Sequence, residues 1–148
     1  MASKVAGWIS VLAVCSLFVA VFQVAGVSAQ TQSNTYTTYN NYNPSANNYA
    51  LDGLYCATYD SSQSLAWRSQ YKWTAFCGTA GGPVGPSLCG RCLSVTNPST
   101  QQSVTVRILD QCSNGGLDLE TDAFNAIDSN GAGYQAGHLY TTYTFVNC

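Results

Sequence analysis

The sequence predicts a small, mainly β, disulfide-stapled closed barrel. Three observations carry that class. Runs of alternating strand formers recur along the chain, and the helical patterns between them are short. Six cysteines (Cys56, Cys77, Cys89, Cys92, Cys112 and Cys148) lie beyond an apolar N-terminal segment that holds the seventh, Cys15. An even number of cysteines in an exported domain of this size fits three bridges with no thiol left over. With few residues available to bury one core, closing the sheet on itself removes the exposed edges that an open sheet would present.

Lys4 precedes an apolar run from Val5 to Phe22, and Val27, Ser28 and Ala29 supply small residues at the cleavage positions. Residues 1–29 therefore read as a secretory signal peptide cut before Gln30. Ser10, Ser16 and Gln23 interrupt the run, which is short for a hydrocarbon core of roughly 30 Å. Cleavage leaves 119 residues, 148 less the 29 of the leader, and residues 30–148 are expected to form one soluble, exported domain.

From Gln30 to Asn48 the chain is Thr, Asn, Ser, Gln and Tyr, with Pro44 as its one stiff residue and almost no aliphatic side chains; residues 30–40 are expected to be a loose arm. LYCATYD, Leu54 to Asp60, alternates and reads as a strand closed by a turn at Ser61 and Ser62. In SLAWRSQYKW, Ser64 to Trp73, the spacing of Leu65, Arg68 and Lys72 predicts a short helix opened by Ser64. Gly78 to Gly90 holds five glycines and two prolines and must be loop. SVTVRIL, Ser103 to Leu109, puts Val104, Val106 and Ile108 on one face of a strand. Thr121 to Asp128 predicts a short capped helix, SNGAGYQAGH a glycine-rich loop, and YTTYTFV, Tyr140 to Val146, a last alternating strand.

Without Lys4 there are four basic residues (Arg68, Lys72, Arg91, Arg107) against seven acidic ones, a net charge of about −3 with His138 neutral. That excludes an electrostatic grip on long nucleic acid, which needs many cations to displace counterions. Ten tyrosines and few charges point instead to a polar, aromatic surface, suited to stacking on uncharged ligands. Trp67, Trp73, Tyr59, Tyr134 and the upstream tyrosines are the candidate ring platform for a chitin-like oligosaccharide, with Asp60 beside them and Asn and Thr side chains for the hydroxyls. The competing reading puts Trp67 and Trp73 in the core. Asp60, Asp110 and Asp118 also qualify as a pair of carboxylates for glycan hydrolysis, if two of them meet across a groove.

The words YCATYD, LAWRSQYKWTAFCG, CGRCLSVTNPST, VRILDQCSNGGLDL, IDSNGAGYQAGH and TFVNC stand in order from Leu54 to Cys148, with YNNYNPSANNY upstream. In these words the chain closely resembles the barwin domain of plant pathogenesis-related class 4 proteins, in the short class without a hevein-type domain. The resemblance implies a double-psi β-barrel, the fold shared with expansins and small endoglucanases. It also implies secretion to the apoplast or vacuole and a defence role against fungi and bacteria. Spacing alone leaves 15 pairings open to six cysteines; the resemblance implies Cys56 with Cys89, Cys77 with Cys112, and Cys92 with Cys148. The CGRC word has the gap of a redox pair or half a zinc site, but zinc would need further ligands and would leave other cysteines unpaired. No metal or cofactor is expected.

The resemblance further implies cleavage of RNA, a reaction that needs a base, an acid and a group to stabilise the crowded phosphate. His138 matches a functional histidine of the family, and Asp118 and Arg68 match positions implicated in the activity, as carboxylate partner and phosphate clamp. The family's other histidine falls on Asn40, and an amide cannot exchange a proton near neutral pH. Binding of oligosaccharide is therefore the leading expectation and weak ribonuclease activity the alternative, with short RNA as second partner, no membrane and a monomeric state.

Overall fold

The computed structural model describes residues 30–78, 85–113 and 115–148. The expected leader over residues 1–29 and residues 79–84 of the glycine loop lie outside them. In chain order the elements are β1 (Thr31–Asn40), α1 (Ala57–Asp60), α2 (Leu65–Ser69), β2 (Lys72–Phe76), a 3-10 turn (Pro86–Leu88), β3 (Cys92–Asn97), β4 (Gln102–Gln111), β5 (Leu117–Glu120), α3 (Thr121–Ile127), α4 (Ala132–Ala136) and β6 (Leu139–Val146). The strands close into a six-membered barrel in the order β1-β5-β2-β4-β3-β6. β1 with β5 and β2 with β4 run parallel, and the remaining pairs are antiparallel. This is the mainly β, double-psi architecture with few short helices.

Period-two alternation fills the barrel. Leu93, Val95, Val106, Ile108, Leu117, Leu119 and Tyr143 point inward, and Phe124 and Ile127 of α3 plug one opening. Each such side chain contributes about 1.5–3 kcal/mol by leaving water. A second layer lies outside the barrel wall, where Leu51, Cys56, Trp73 and Leu109 pack with Tyr42, Tyr49 and Trp67. The bridges are Cys56–Cys89, Cys77–Cys112 and Cys92–Cys148.

The expected loose arm over residues 30–40 is not what the structure holds, because that stretch is β1, paired on both sides. Its inward residues are Thr35 and Thr37 rather than aliphatics, and the Thr37 and Thr141 hydroxyls bond at 2.8 Å. The Thr37 hydroxyl is thus satisfied inside the barrel, whereas the buried Thr35 hydroxyl has no hydrogen-bond partner among the described residues; backbone pairing and small threonine side chains hold the strand with few aliphatic residues. The expected strand from Leu54 to Asp60 is also corrected. Its second half is α1, with Tyr59 N and Asp60 N both donating to Cys56 O, on a residue fixed by its bridge to Cys89.

The expected helix over Ser64–Trp73 is cut short at Ser69, and Lys72 and Trp73 open β2. Its start is as read: the Ser64 hydroxyl accepts from Trp67 N at 3.2 Å. Within the expected loop after Asp128, Gly131 and Gly137 take left-handed φ values of 70° and 79° and bracket α4, a conformation glycine adopts without penalty.

Candidate functional site

The outer face of β1 organises the site. Thr35, Thr37 and Tyr39 turn toward the core, so Tyr36, Thr38 and Asn40 face outward on one stripe. Thr38 pairs with Asp118 on β5, and Thr37 pairs with Leu139 on β6. Asp118 and His138 therefore flank Thr38 from its two sides. The Thr38 hydroxyl donates to Asp118 Oδ1 at 2.6 Å.

At one end of the stripe is a row of rings. Tyr36 and His138 stack with centroids 4.9 Å apart and planes at 27°. Tyr140 meets both edge-on, 5.9 Å from Tyr36 and 5.4 Å from His138. Tyr36 and Tyr140 are 37% and 51% exposed, so part of each ring is open to a ligand although His138 stacks on Tyr36. With Nδ1 protonated, His138 donates to Ala136 O at 3.2 Å, and Nε2 is then the acceptor of the ring.

At the other end are two carboxylates. Asp110 accepts from Tyr55 N at 3.0 Å and Gln111 N at 2.9 Å, and Tyr42 donates its hydroxyl to the same group at 3.4 Å. Burial, and secondarily the charge of Asp110, pushes the Asp118 carboxyl above the usual aspartate range, against the opposing bond from Thr38. Burial and the charges of Asp110 and Asp118 push the Tyr42 hydroxyl up too, while a bond with the Asn40 side chain opposes them. Tyr42 is thus a fixed hydroxyl donor, and Asp118 a carboxyl that holds a proton more readily than usual. Chemically the stripe offers stacking faces, hydroxyls, an amide and one carboxyl whose hold on a proton is strengthened by burial.

The structure brings Asp110, Asp118, His138 and Asn40 to this one face and gives the other sequence-predicted residues different surroundings. Arg68 donates to Tyr49 O at 3.1 Å, and its own carbonyl accepts from Trp73 Nε1 at 2.9 Å. Trp73 is 2% exposed and gives no ring face to a ligand, so its platform role is replaced by a core role. Trp67 covers the buried Arg107 guanidinium at 3.7 Å from its ring centroid, with Tyr71 on the other side at 5.0 Å.

Asp60 is buried beside Arg107 and the Cys56–Cys89 bridge, so its carboxyl is not presented to a ligand at the surface. Its three-membered group with Cys56 and Cys89 has the closeness of metal ligands, but both sulfurs are spent on the bridge. Tyr59 is half exposed and lies 6.0 Å from the ring of Tyr55, whose backbone N–H donates to Asp110. Tyr134 is also half exposed and stacks on Tyr39 at 4.8 Å. Sequence reasoning missed Thr38 and Tyr140, and took Tyr36 and Tyr42 only within the group of upstream tyrosines. The signal that marks Tyr36 and Thr38 is the strand alternation of TYTTYN, which places them with Asn40 on one face.

Comparison with solved structures returns double-psi barrels. Cerato-platanin 3 from M. perniciosa aligns at 18% identity and a TM-score of 0.56, over 76% of this chain and 93% of its own. The fungal elicitor cerato-platanin aligns at 17% identity and 0.51, over 76% and 92%. A mutant Clavibacter michiganensis expansin in complex with cellohexaose aligns at 22% identity and 0.51, over 80% of this chain and 51% of the expansin, so the chain spans about half of that protein. At the level of families, residues 31–148 match the model described as the Barwin family.

Proposed function

The chain belongs to the Barwin family, and from that premise we propose that it is a secreted defence protein whose β1 face binds a neutral, chitin-like oligosaccharide of microbial cell walls. The single observation that carries the reading is the exposed row Tyr36, His138 and Tyr140, beside the hydroxyl, amide and carboxyl groups of Thr38, Asn40 and Asp118. Pyranose rings lay apolar C–H faces on aromatic rings and give their hydroxyls to polar neighbours. A cellohexaose-bound expansin of the same fold lends the reading support by analogy only.

Residues 30–148, expressed with their bridges intact, should bind chitin oligomers weakly, with little salt dependence because no charge pair carries the contact. Tyr36→Ala and Tyr140→Ala should each weaken binding by about 3- to 10-fold, the worth of one aromatic stacking contact. Affinity that collapses with modest salt, or that ignores both substitutions, would remove the ring row from the site.

Ribonuclease activity is the second reading, favoured by one observation: Asp118 and His138 flank the same threonine. In that reading His138 exchanges the proton of the ribose hydroxyl and Asp118, the more easily protonated acid, serves the leaving oxygen. Asn40 stands where a second imidazole would otherwise act.

A further inference from the structure

The ring row does not end at Tyr140. On its far side His138 and Tyr140 also line a cleft of about 300 Å³, whose opposite walls are Asn97, Pro98 and Ser99 from the β3–β4 turn and Ala132 and Gly133 from α4. Among the described residues no Asp, Glu, Lys or Arg lines it, so it suits a neutral ligand. Three apolar residues, Pro98, Ala132 and Leu139, share it with the two rings, a mixture that fits a sugar ring with an apolar substituent better than an ion.

The cleft is built rather than incidental. One wall is pinned where Asn97 Nδ2 and Thr100 Oγ1 both donate to Ile127 O, at 2.9 and 2.7 Å, and Ser99 N donates to Asn97 Oδ1 at 2.9 Å. The other is pinned where the buried Asp128 carboxylate accepts from Gly133 N at 2.9 Å and Tyr134 N at 2.7 Å. Both walls are thereby anchored to the C-terminal end of α3 and need no ordering when a ligand arrives. Gly133 keeps the approach close: a Cβ there would lie 2.3 Å from Leu139 Cδ2 and 2.6 Å from its Cγ, so any larger residue would require the Leu139 side chain to shift.

Order around the barrel makes cleft and face one track. Asp118 is on β5, Tyr36 and Thr38 on β1, His138 and Tyr140 at β6, and Asn97 at the end of β3, and these strands are consecutive neighbours. Three strand spacings make a path of about 14 Å running across the strands. Resting on the oligosaccharide reading above, we infer that the cleft between the β3–β4 turn and α4 is a terminal subsite. It takes the end unit of a neutral oligosaccharide whose inner units lie on Tyr36, His138 and Tyr140, and the protein therefore selects for chain length.

The test is a titration of chitin oligomers of two to six units, followed by backbone amide shifts and by affinity, on the bridged protein and on Ala132→Trp and Ser99→Tyr, either of which fills the cleft. The expected result is affinity that rises at least about 10-fold with length and then levels, with shifts at Ser99, Ala132 and Gly133 appearing only for the longer oligomers. Both variants should lose that gain and keep the affinity of the short oligomer. Shifts at Tyr36 and Tyr140 with none at the cleft for any length, or a length gain that survives both substitutions, would overturn the subsite and leave the ring row standing. No shift anywhere at any length would overturn the ring row and the subsite with it. The shifts in the unsubstituted protein decide the matter even where a variant fails to fold.

Discussion

At the scale of single residues, Asp118 is the group whose chemistry the fold has changed most usefully. Burial and the neighbouring Asp110 raise its pKa above the ordinary 3.8, so the folded state binds its proton more tightly than the unfolded chain does. Such a carboxyl contributes stability in full below the unfolded value and loses it as the pH rises through the folded one. Asp118→Asn keeps an acceptor for Thr38 and removes the charge. Its urea midpoint should lie above the parent's at pH 7, with the gap closing by about pH 3; a gap of equal size at both would contradict the raised pKa. Asn40 supplies a second test at this scale. It lies on the same outward stripe as Thr38, so Asn40→His should raise cleavage of a dinucleotide by about 10² if two imidazoles act together, and His138→Ala should abolish that gain. An unchanged rate would remove residue 40 from the chemistry. His138 and Asp118 could be named from the sequence because family words carry them. The ring platform could not, because tryptophan and tyrosine serve a core and a surface equally well. Arg107 shows why: its buried guanidinium needs Trp67 and Tyr71 as walls, a demand invisible until β4 is placed beneath α2.

At the scale of elements, the barrel-lining hydrophobic strands were legible and the threonine strand was not. Ser103 to Leu109 and Tyr140 to Val146 announce themselves through aliphatic and aromatic alternation, and both lie within observed strands. β1 alternates just as regularly, but its inward residues are threonines whose partners, such as Thr141, lie about a hundred positions away, so composition alone argues for disorder. The same strand sets a strict demand on its neighbour. A Cβ on Gly116 would stand 1.7 Å from Tyr36 O, and that carbonyl belongs to the backbone and cannot swing aside. Gly116→Ala should therefore cost at least about 3 kcal/mol, beyond the usual range of overpacking at flexible sites. It should also disturb amide shifts along Tyr36–Asn40 before those of the β3–β4 hairpin. A denaturant midpoint within a few tenths of a molar of the parent's would show that β1 and β5 can part locally at little expense.

For the whole molecule, the three bridges bind the barrel to its outer layer and its end. Cys92–Cys148 closes the longest interval, 56 residues, for which restriction of the unfolded chain gives about 4 kcal/mol. Replacing both cysteines by alanine should lower stability by about that amount in urea, and a loss under about 1 kcal/mol would show that the unbridged chain is already compact. The closing seam has a further consequence for how the chain is made. Thr31 of β1 meets Thr144 of β6 across 113 positions. A ribosome delivers residues in order at roughly 5–20 per second, so the first strand waits on the order of ten seconds for the partner that shuts the cylinder. Through that interval the threonine strand has polar groups to hydrate and little to aggregate with, while the aliphatic strands that follow it need shielding. Maturation is therefore a post-synthetic event. Chains that end before Leu139 should remain unclosed, however well their hairpins have formed.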